Sequence, residues 1–224
     1  MATSTQPAER LAATDIEVRV RFLVIALVAF VACAIDGFFV ITQPTLKVDV
    51  ILETAVQGVA WGPLVGVFGA IDWLEGVKQA ALAGAGVLLV LILRRRAFFL
   101  MLWGALSAGA YTVIELLVRR PRPGADLVHV VRHTNGYGFP SGHVLFFTWF
   151  LAMLLLIFGR RYLPRPVYIA GWVVAGLVVL VVCLGRMYTA EHWPSDVAGG
   201  LLLGIGWVAL GLSIRRISDP VLND

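Results

Sequence analysis

Apolar residues in this chain fall into six long runs, at residues 22–41, 77–93, 97–118, 144–158, 167–184 and 197–214. An α-helix needs about 20 such residues to cross the hydrocarbon core of a bilayer, so each run corresponds to about one span and six transmembrane helices are expected. The run at 144–158 is short. The preceding residues 140–143 (PSGH) can supply its first turn, with Pro140 at the start and Ser141 as a cap. Between the first two runs, residues 42–79 are mixed: Asp49, Glu53, Asp72 and Glu75 interrupt apolar positions, and Gly58, Gly62, Pro63, Gly66 and Gly69 break the middle. This pattern predicts an amphipathic helix lying in the membrane interface near residues 48–57. A partly buried irregular segment should follow, because residues 59–71 are too few for a span. The fold class is therefore all-α and polytopic, with one interfacial helical segment between the first and second spans. Residues 1–15 read as a disordered polar tail, 16–217 as a single membrane domain and 218–224 as a short C-terminal tail.

Composition agrees. With 59% hydrophobic and 14% charged residues, and a mean hydropathy of +0.87, the chain needs lipid around its surface. Membrane lipids are thus its first partners. Lys and Arg near span ends favour the cytoplasmic side. Placing both termini in the cytoplasm puts Arg10, Arg19, Arg21, Arg94, Arg95, Arg96, Arg160, Arg161, Arg165, Arg215 and Arg216 there, eleven of the eighteen basic residues. The net charge of +4 then reflects orientation. No nucleic-acid partner is expected, since basic helices, aromatic strand patterns and zinc spacings are missing from the sequence. Cys33 and Cys183 lie inside apolar runs and read as inert thiols. The ACA triplet at residues 32–34 imitates a signal-peptidase site, but Asp36 and further apolar residues follow it, so the first span is expected to stay uncleaved.

The remaining basic residues concentrate in three polar islands at span ends: residues 119–123 (RRPRP), 140–143 (PSGH) and 186–196 (RMYTAEHWPSD). With the orientation above, all three face outward together. Burying such groups beside lipid is costly unless they serve one another or a ligand, and their chemistry suits phosphate. His192 and Asp196 are spaced i, i+4, so the carboxylate can orient the ring and leave one nitrogen free to attack phosphorus. His143, at a helix start where backbone N–H groups attract anions, suits proton donation. Ser141 and Gly142 can contact phosphate oxygens, and Arg122 and Arg186 can hold them bidentately. His129 and His133 read as solvated loop residues, and no metal ligand set is expected. The loop at residues 124–139 joins the first two islands and is a candidate lid or headgroup selector.

In these motifs the chain resembles the type 2 phosphatidic acid phosphatase superfamily, whose pattern is KxxxxxxRP, PSGH and SRxxxxxHxxxD. PSGH is present at 140–143. The third motif is present as Arg186, His192 and Asp196, with Gly185 where the family often has Ser; the first survives only as Arg122 and Pro123. The family lysine position is occupied by Glu115, and an i, i+4 ion pair to Arg119 is expected to neutralise it, with Arg119 or Arg120 taking over the phosphate contact. The resemblance implies a six-helix core, a histidine-phosphorylated intermediate, no cofactor, and an extracytoplasmic site for a lipid phosphate or diphosphate substrate. A polyprenyl diphosphate is the first expectation. Phosphatidylglycerol phosphate or phosphatidic acid, phosphoryl transfer to another lipid, and a non-hydrolytic lipid-phosphate binding or flipping protein are the alternatives. The sequence leaves the oligomeric state open.

Overall fold

The structure, a computed structural model, describes residues 5–223, with side chains from Asp15 onward, and among these residues it is helical throughout with no strand. Helix α1 (Thr5–Thr42) is followed by α2 (Lys47–Gln57), α3 (Leu64–Trp73) and α4 (Val77–Leu93). A short turn at Arg95–Ala97 leads into α5 (Phe98–Ala105) and α6 (Ser107–Val118). After the long loop come α7 (Gly142–Leu154), a π-helical turn (Leu155–Gly159) and the three-residue α8 (Arg160–Tyr162). Helices α9 (Arg165–Tyr188), α10 (Pro194–Ser213) and α11 (Arg215–Leu222) complete the chain. Five stretches are long and apolar enough to cross a bilayer: Asp15–Thr42, Arg95–Val118, Gly142–Tyr162, Arg165–Tyr188 and Pro194–Ser213. Helices α3 and α4 bend by 80° at the break between them and make a sixth only if counted as one span.

Helix α10 is the centre of the bundle, packed by α1, α7, α5, α9 and α2. Its sequence carries Gly199, Gly200, Gly204, Gly206 and Gly211, and small residues let helix backbones approach closely where lipid offers no hydrophobic driving force between helices. At Gly200 the approach is closest to the site: a Cβ there would lie 2.5 Å from the Ser141 carbonyl oxygen. The residues that begin α7 are thus seated directly on α10.

The structure corrects three expectations. The helix α1 starts at Thr5 and runs through most of the segment expected to be a disordered tail, whose Ala, Glu and Gln content supports helix; residues 1–4 lie outside the described residues. The segment expected to be irregular folds as α3, with Phe68 and Ile71 buried against the bundle. The C-terminal tail is part of helix α11. It is docked by Arg19, which donates to Ser218 Oγ (2.8 Å) and pairs with Asp219, so a buried cation on α1 fixes the chain end.

Helix α2 appears where an interfacial helix was expected, but its polar residues point inward. Val48, Ile51 and Leu52 are exposed, while Asp49 and Glu53 are buried against α9 and α10. Asp49 is fully paired there. Both oxygens of Glu53 lack a hydrogen-bond partner, and burial, reinforced by the charges of Asp196 and Asp49, pushes its pKa from 4.5 up to about 9. Glu53 is therefore neutral at pH 7 in the folded chain and ionised in the unfolded one. The folded state binds the extra proton, so stability falls as pH rises from about 4.5 towards 9. Glu53→Gln should accordingly raise the melting temperature in detergent at pH 8, with a much smaller gain at pH 5. Equal gains at both pH values would contradict a protonated Glu53.

Candidate active site

The third polar island folds as a tight crossover between two helices. Helix α9 ends at Tyr188, the backbone N–H groups of Glu191 and His192 return to the Arg186 carbonyl (3.2 and 3.4 Å), and Pro194 opens α10. Ala190 completes the turn at φ +57°, in the left-handed region. His192 is held in this crossover with 3% of its surface exposed. Its Nδ1 lies 2.7 Å from the Gly138 carbonyl oxygen. A carbonyl only accepts, so Nδ1 carries the proton and in the neutral ring Nε2 carries the lone pair. Nε2 sits 3.4 Å from Arg122 Nη1.

The orienting group is thus a backbone carbonyl rather than the expected carboxylate. Asp196 Oδ2 is 3.9 Å from Nδ1 and instead accepts the Trp193 backbone N–H (2.8 Å), capping α10. It also excludes any side chain at position 138, where a Cβ would lie 2.8 Å from Oδ2. Asp196 therefore acts on His192 through the loop it packs against. The loop is anchored as well by Gly138 N–H to the Arg120 carbonyl (2.8 Å) and Arg132 N–H to the Thr189 carbonyl (3.2 Å).

Of the arginines expected to bind phosphate, only Arg122 lines the pocket. Its Nη1 donates to the Glu191 carbonyl (2.6 Å), and its buried Nε has no partner. Arg120 is fully committed elsewhere: it donates to the Pro44 carbonyl (2.9 Å), Ser195 Oγ (2.6 Å), Asp196 (2.6 Å) and Asp49 (2.6 Å). Arg119 closes α6 at φ +50°, is exposed, and donates to the Leu116 carbonyl (2.8 Å). Arg186 is buried between two carboxylates, donating to Glu191 Oε2 (2.7 Å) and in close contact with Asp72. The expected ion pair of Glu115 with Arg119 does not form, because the left-handed turn directs Arg119 back along α6. Glu115 Oε1 accepts the Tyr137 backbone N–H (3.3 Å) instead.

His143 and His192 open onto one pocket of about 160 Å³, lined also by Glu75, Gly76, Gln79, Tyr111, Arg122, Thr134, Gly142 and Glu191. His143 is buried, with its Nε2 unpartnered. Ser141 stands at the N-cap of α7 without making the side-chain cap; its buried Oγ is also unpartnered, and its N–H is held by the Asp196 carbonyl (2.9 Å). Burial, with the Arg122 and Arg186 guanidinium groups adding to it, holds the His192 pKa well below the usual histidine value. The ring is therefore neutral at physiological pH, the form in which Nε2 is nucleophilic. Among the described residues no group of three or more His, Cys, Asp or Glu is arranged to hold a metal ion.

Sequence reasoning missed the acidic side of the site. Asp72 and Glu75, at the α3–α4 bend, join Glu191 around Arg132, with Arg132 Nη2 to Glu75 Oε1 at 2.6 Å and Arg132 Nη1 to Glu191 Oε1 at 3.4 Å. Their presence in a segment otherwise rich in apolar residues and glycine was the available signal. His129 and His133 are exposed, as expected of loop histidines.

Comparisons with known proteins identify the fold and the family. The chain is 36% identical over 153 residues to the decaprenylphosphoryl-5-phosphoribose phosphatase of Mycobacterium tuberculosis, covering 67% of this chain and 72% of that one. It is 39% identical over 92 residues to the glucose-6-phosphatase catalytic subunit 1 of Haplochromis xenognathus, covering 38% of this chain and about a third (33%) of that longer protein. The crystal structure of the first transmembrane PAP2 type phosphatidylglycerolphosphate phosphatase from Bacillus subtilis superposes with a TM-score of 0.67 at 18% identity, covering 84% of this chain and 93% of that one. The fold is thus that of a multi-pass membrane protein, and a family model of the PAP2 superfamily matches residues 96–218, so this chain belongs to the PAP2 superfamily.

Proposed function

We propose that this chain is a membrane lipid phosphatase that works through a phosphorylated His192. The observation that carries the reading is the lone pair on Nε2 of a neutral, buried His192, with Nδ1 locked by Gly138 and Arg122 Nη1 3.4 Å from Nε2, in the pocket that also holds His143. In the first step the Nε2 lone pair forms a P–N bond as the bond from phosphorus to the leaving oxygen breaks, and His143 delivers a proton to that oxygen. In the second, water attacks phosphorus and the P–N bond breaks. His143 recovers a proton from the water, and inorganic phosphate departs. Arg122, the Ser141 hydroxyl and the Gly142 amide hold the equatorial oxygens. Asp196 and Gly138 keep the ring aligned, so they are positioning groups.

The arginine distribution and the clustering of all three islands at one end support an extracytoplasmic site with both termini in the cytoplasm. A membrane-impermeant thiol reagent applied to intact cells should label Asp126→Cys, in the exposed loop, and spare Arg161→Cys; the reverse pattern would invert the topology.

His192→Ala should reduce phosphate release from lipid phosphates to background in purified protein that still folds, and His143→Ala should lower kcat by about 10²–10⁴-fold. Activity should persist in excess chelator. A His192→Ala protein with substantial turnover would overturn the mechanism.

The pH profile gives an independent check. Because the attacking ring must be neutral and its pKa is depressed, the acid limb of kcat/KM should fall below pH 6.5. Removing the adjacent cation in Arg122→Gln should move that limb to higher pH. An acid limb unchanged by this substitution would exclude His192 as the group that sets it.

A further inference from the structure

Two polar side chains on the pocket wall have no part in the chemistry above. Gln79 Nε2 and Thr134 Oγ1 are both sealed from solvent and lack hydrogen-bond partners, and both line the cavity shared by His143 and His192. Gln79 stands in the first turn of α4, three residues after Gly76, whose φ of +54° turns the chain into that helix. Thr134 comes from the loop between α6 and α7. A buried donor left without a partner is costly, so an occupant that satisfies these groups is strongly selected over one that does not.

A phosphoryl group is a poor match for this part of the wall. Its oxygens are acceptors carrying negative charge, and the cavity also presents Glu75 and Glu191, which are acceptors of the same sign. A second phosphate placed there would find the nearby Arg132 and Arg186 guanidinium groups already paired with these carboxylates. Neutral hydroxyl groups are both donors and acceptors: they can accept from the Gln79 amide, exchange a bond with Thr134, and donate to a carboxylate. Glu75, Gln79 and Thr134 line the same small cavity as His143, the proposed acid to the leaving oxygen, so a leaving alcohol that takes its proton from His143 is within this cavity's reach of them. The cavity of about 160 Å³ accommodates a phosphorylated headgroup and leaves a lipid tail outside, being well below the ~300–1,000 Å³ of drug-sized sites. Glu75 and Gln79 also lie outside residues 96–218, the part matched by the family model, where a feature particular to this chain's substrate can reside.

We propose that Gln79 and Thr134, together with Glu75, form a subsite for free hydroxyls on the leaving alcohol, so the substrate is a lipid-linked phosphosugar or phosphopolyol. This rests on the phosphatase reading and narrows it away from polyprenyl diphosphates and phosphatidic acid. The test compares kcat/KM for phosphatidylglycerol phosphate, whose phosphorylated glycerol keeps a free hydroxyl, with phosphatidic acid of the same acyl chains in mixed micelles. The wild-type protein should prefer the former by about tenfold or more, and Gln79→Leu and Thr134→Val should each cut that ratio severalfold, because a site built around a hydroxyl discriminates sharply against its absence. If either variant fails to fold, the other decides. Equal turnover of the two lipids by the wild type, or a ratio unchanged in the variants that fold, would overturn the subsite while leaving the phosphatase reading intact. No turnover of either lipid, nor of a polyprenyl phosphate, would overturn both.

Discussion

The buried guanidinium of Arg120 is the contact on which the site is built. It lies at the C-terminal end of α6 and reaches Asp49 on α2, Asp196 and Ser195 at the start of α10, and the Pro44 carbonyl between α1 and α2. Two carboxylates buried at 0–1% side-chain exposure would be untenable in a bilayer-embedded bundle without that cation, and the cation would be equally untenable without them. Every geometric feature of His192 follows from this cluster. Asp196, held on one oxygen by Arg120, uses the other to cap α10 and to press on Gly138. The Arg120 carbonyl takes the Gly138 N–H, and the Gly138 carbonyl takes His192 Nδ1. The tautomer of His192 is therefore set by a chain of contacts that begins at Arg120, whose guanidinium nitrogens are all committed within the protein.

The same economy governs the second cation cluster, with a different result. Arg186 is shared by Asp72 and Glu191, and Arg132 by Glu75 and Glu191, so positive charge beside the pocket is already partly neutralised by the protein's own carboxylates. Arg122 is the exception. It spends one nitrogen on a neutral carbonyl and keeps its Nε unpartnered at the cavity. In the proposed mechanism the phosphate meets this one guanidinium with a nitrogen to spare, beside His143 and His192. Arg186 is open to an anionic ligand only if Glu191 gives way, so Glu191 competes with any such ligand for that guanidinium.

How much of this could be read from the chain depends on the range of the interactions involved. Lipid-facing runs, the start of α7 at Gly142 and the start of α10 at Pro194 were legible because hydropathy and helix-start chemistry are local. The convergence of His143 and His192 was legible because their motif offsets match a known family. What failed were assignments that treated sequence proximity as contact. The pair Glu115–Arg119 assumed regular helix between the partners, yet Arg119 leaves α6 in a left-handed turn; the pair His192–Asp196 assumed a carboxylate reaching back from the first turn of α10, yet that oxygen is taken by the Trp193 N–H. Arg120 and Arg122 look equivalent in RRPRP, and only the fold shows that one turns into the bundle and the other towards the cavity. Asp49, Glu53 and Asp72 read as surface residues because acidic groups usually are, whereas in lipid the inside of the bundle is the more polar solvent.

That inversion also explains where substrate selectivity can arise without disturbing the chemistry. The segment from Arg120 to Asp196 is braced by charges that cannot be removed singly, so it is poorly suited to change. The α3–α4 bend contributes Glu75, Gly76 and Gln79 to the pocket but takes no part in the Arg120 cluster. Helix α3 packs on α9 through Phe68, whose ring would collide with any Cβ at Gly185 (2.9 Å), one residue before Arg186. The bend is thus held in register with the third motif by apolar packing and by the pairing of Asp72 with Arg186 and of Glu75 with Arg132, while the Gln79 amide nitrogen keeps no partner. Gln79 can therefore be exchanged to suit a new headgroup at little cost in stability, and its unsatisfied amide lines the same cavity as His143.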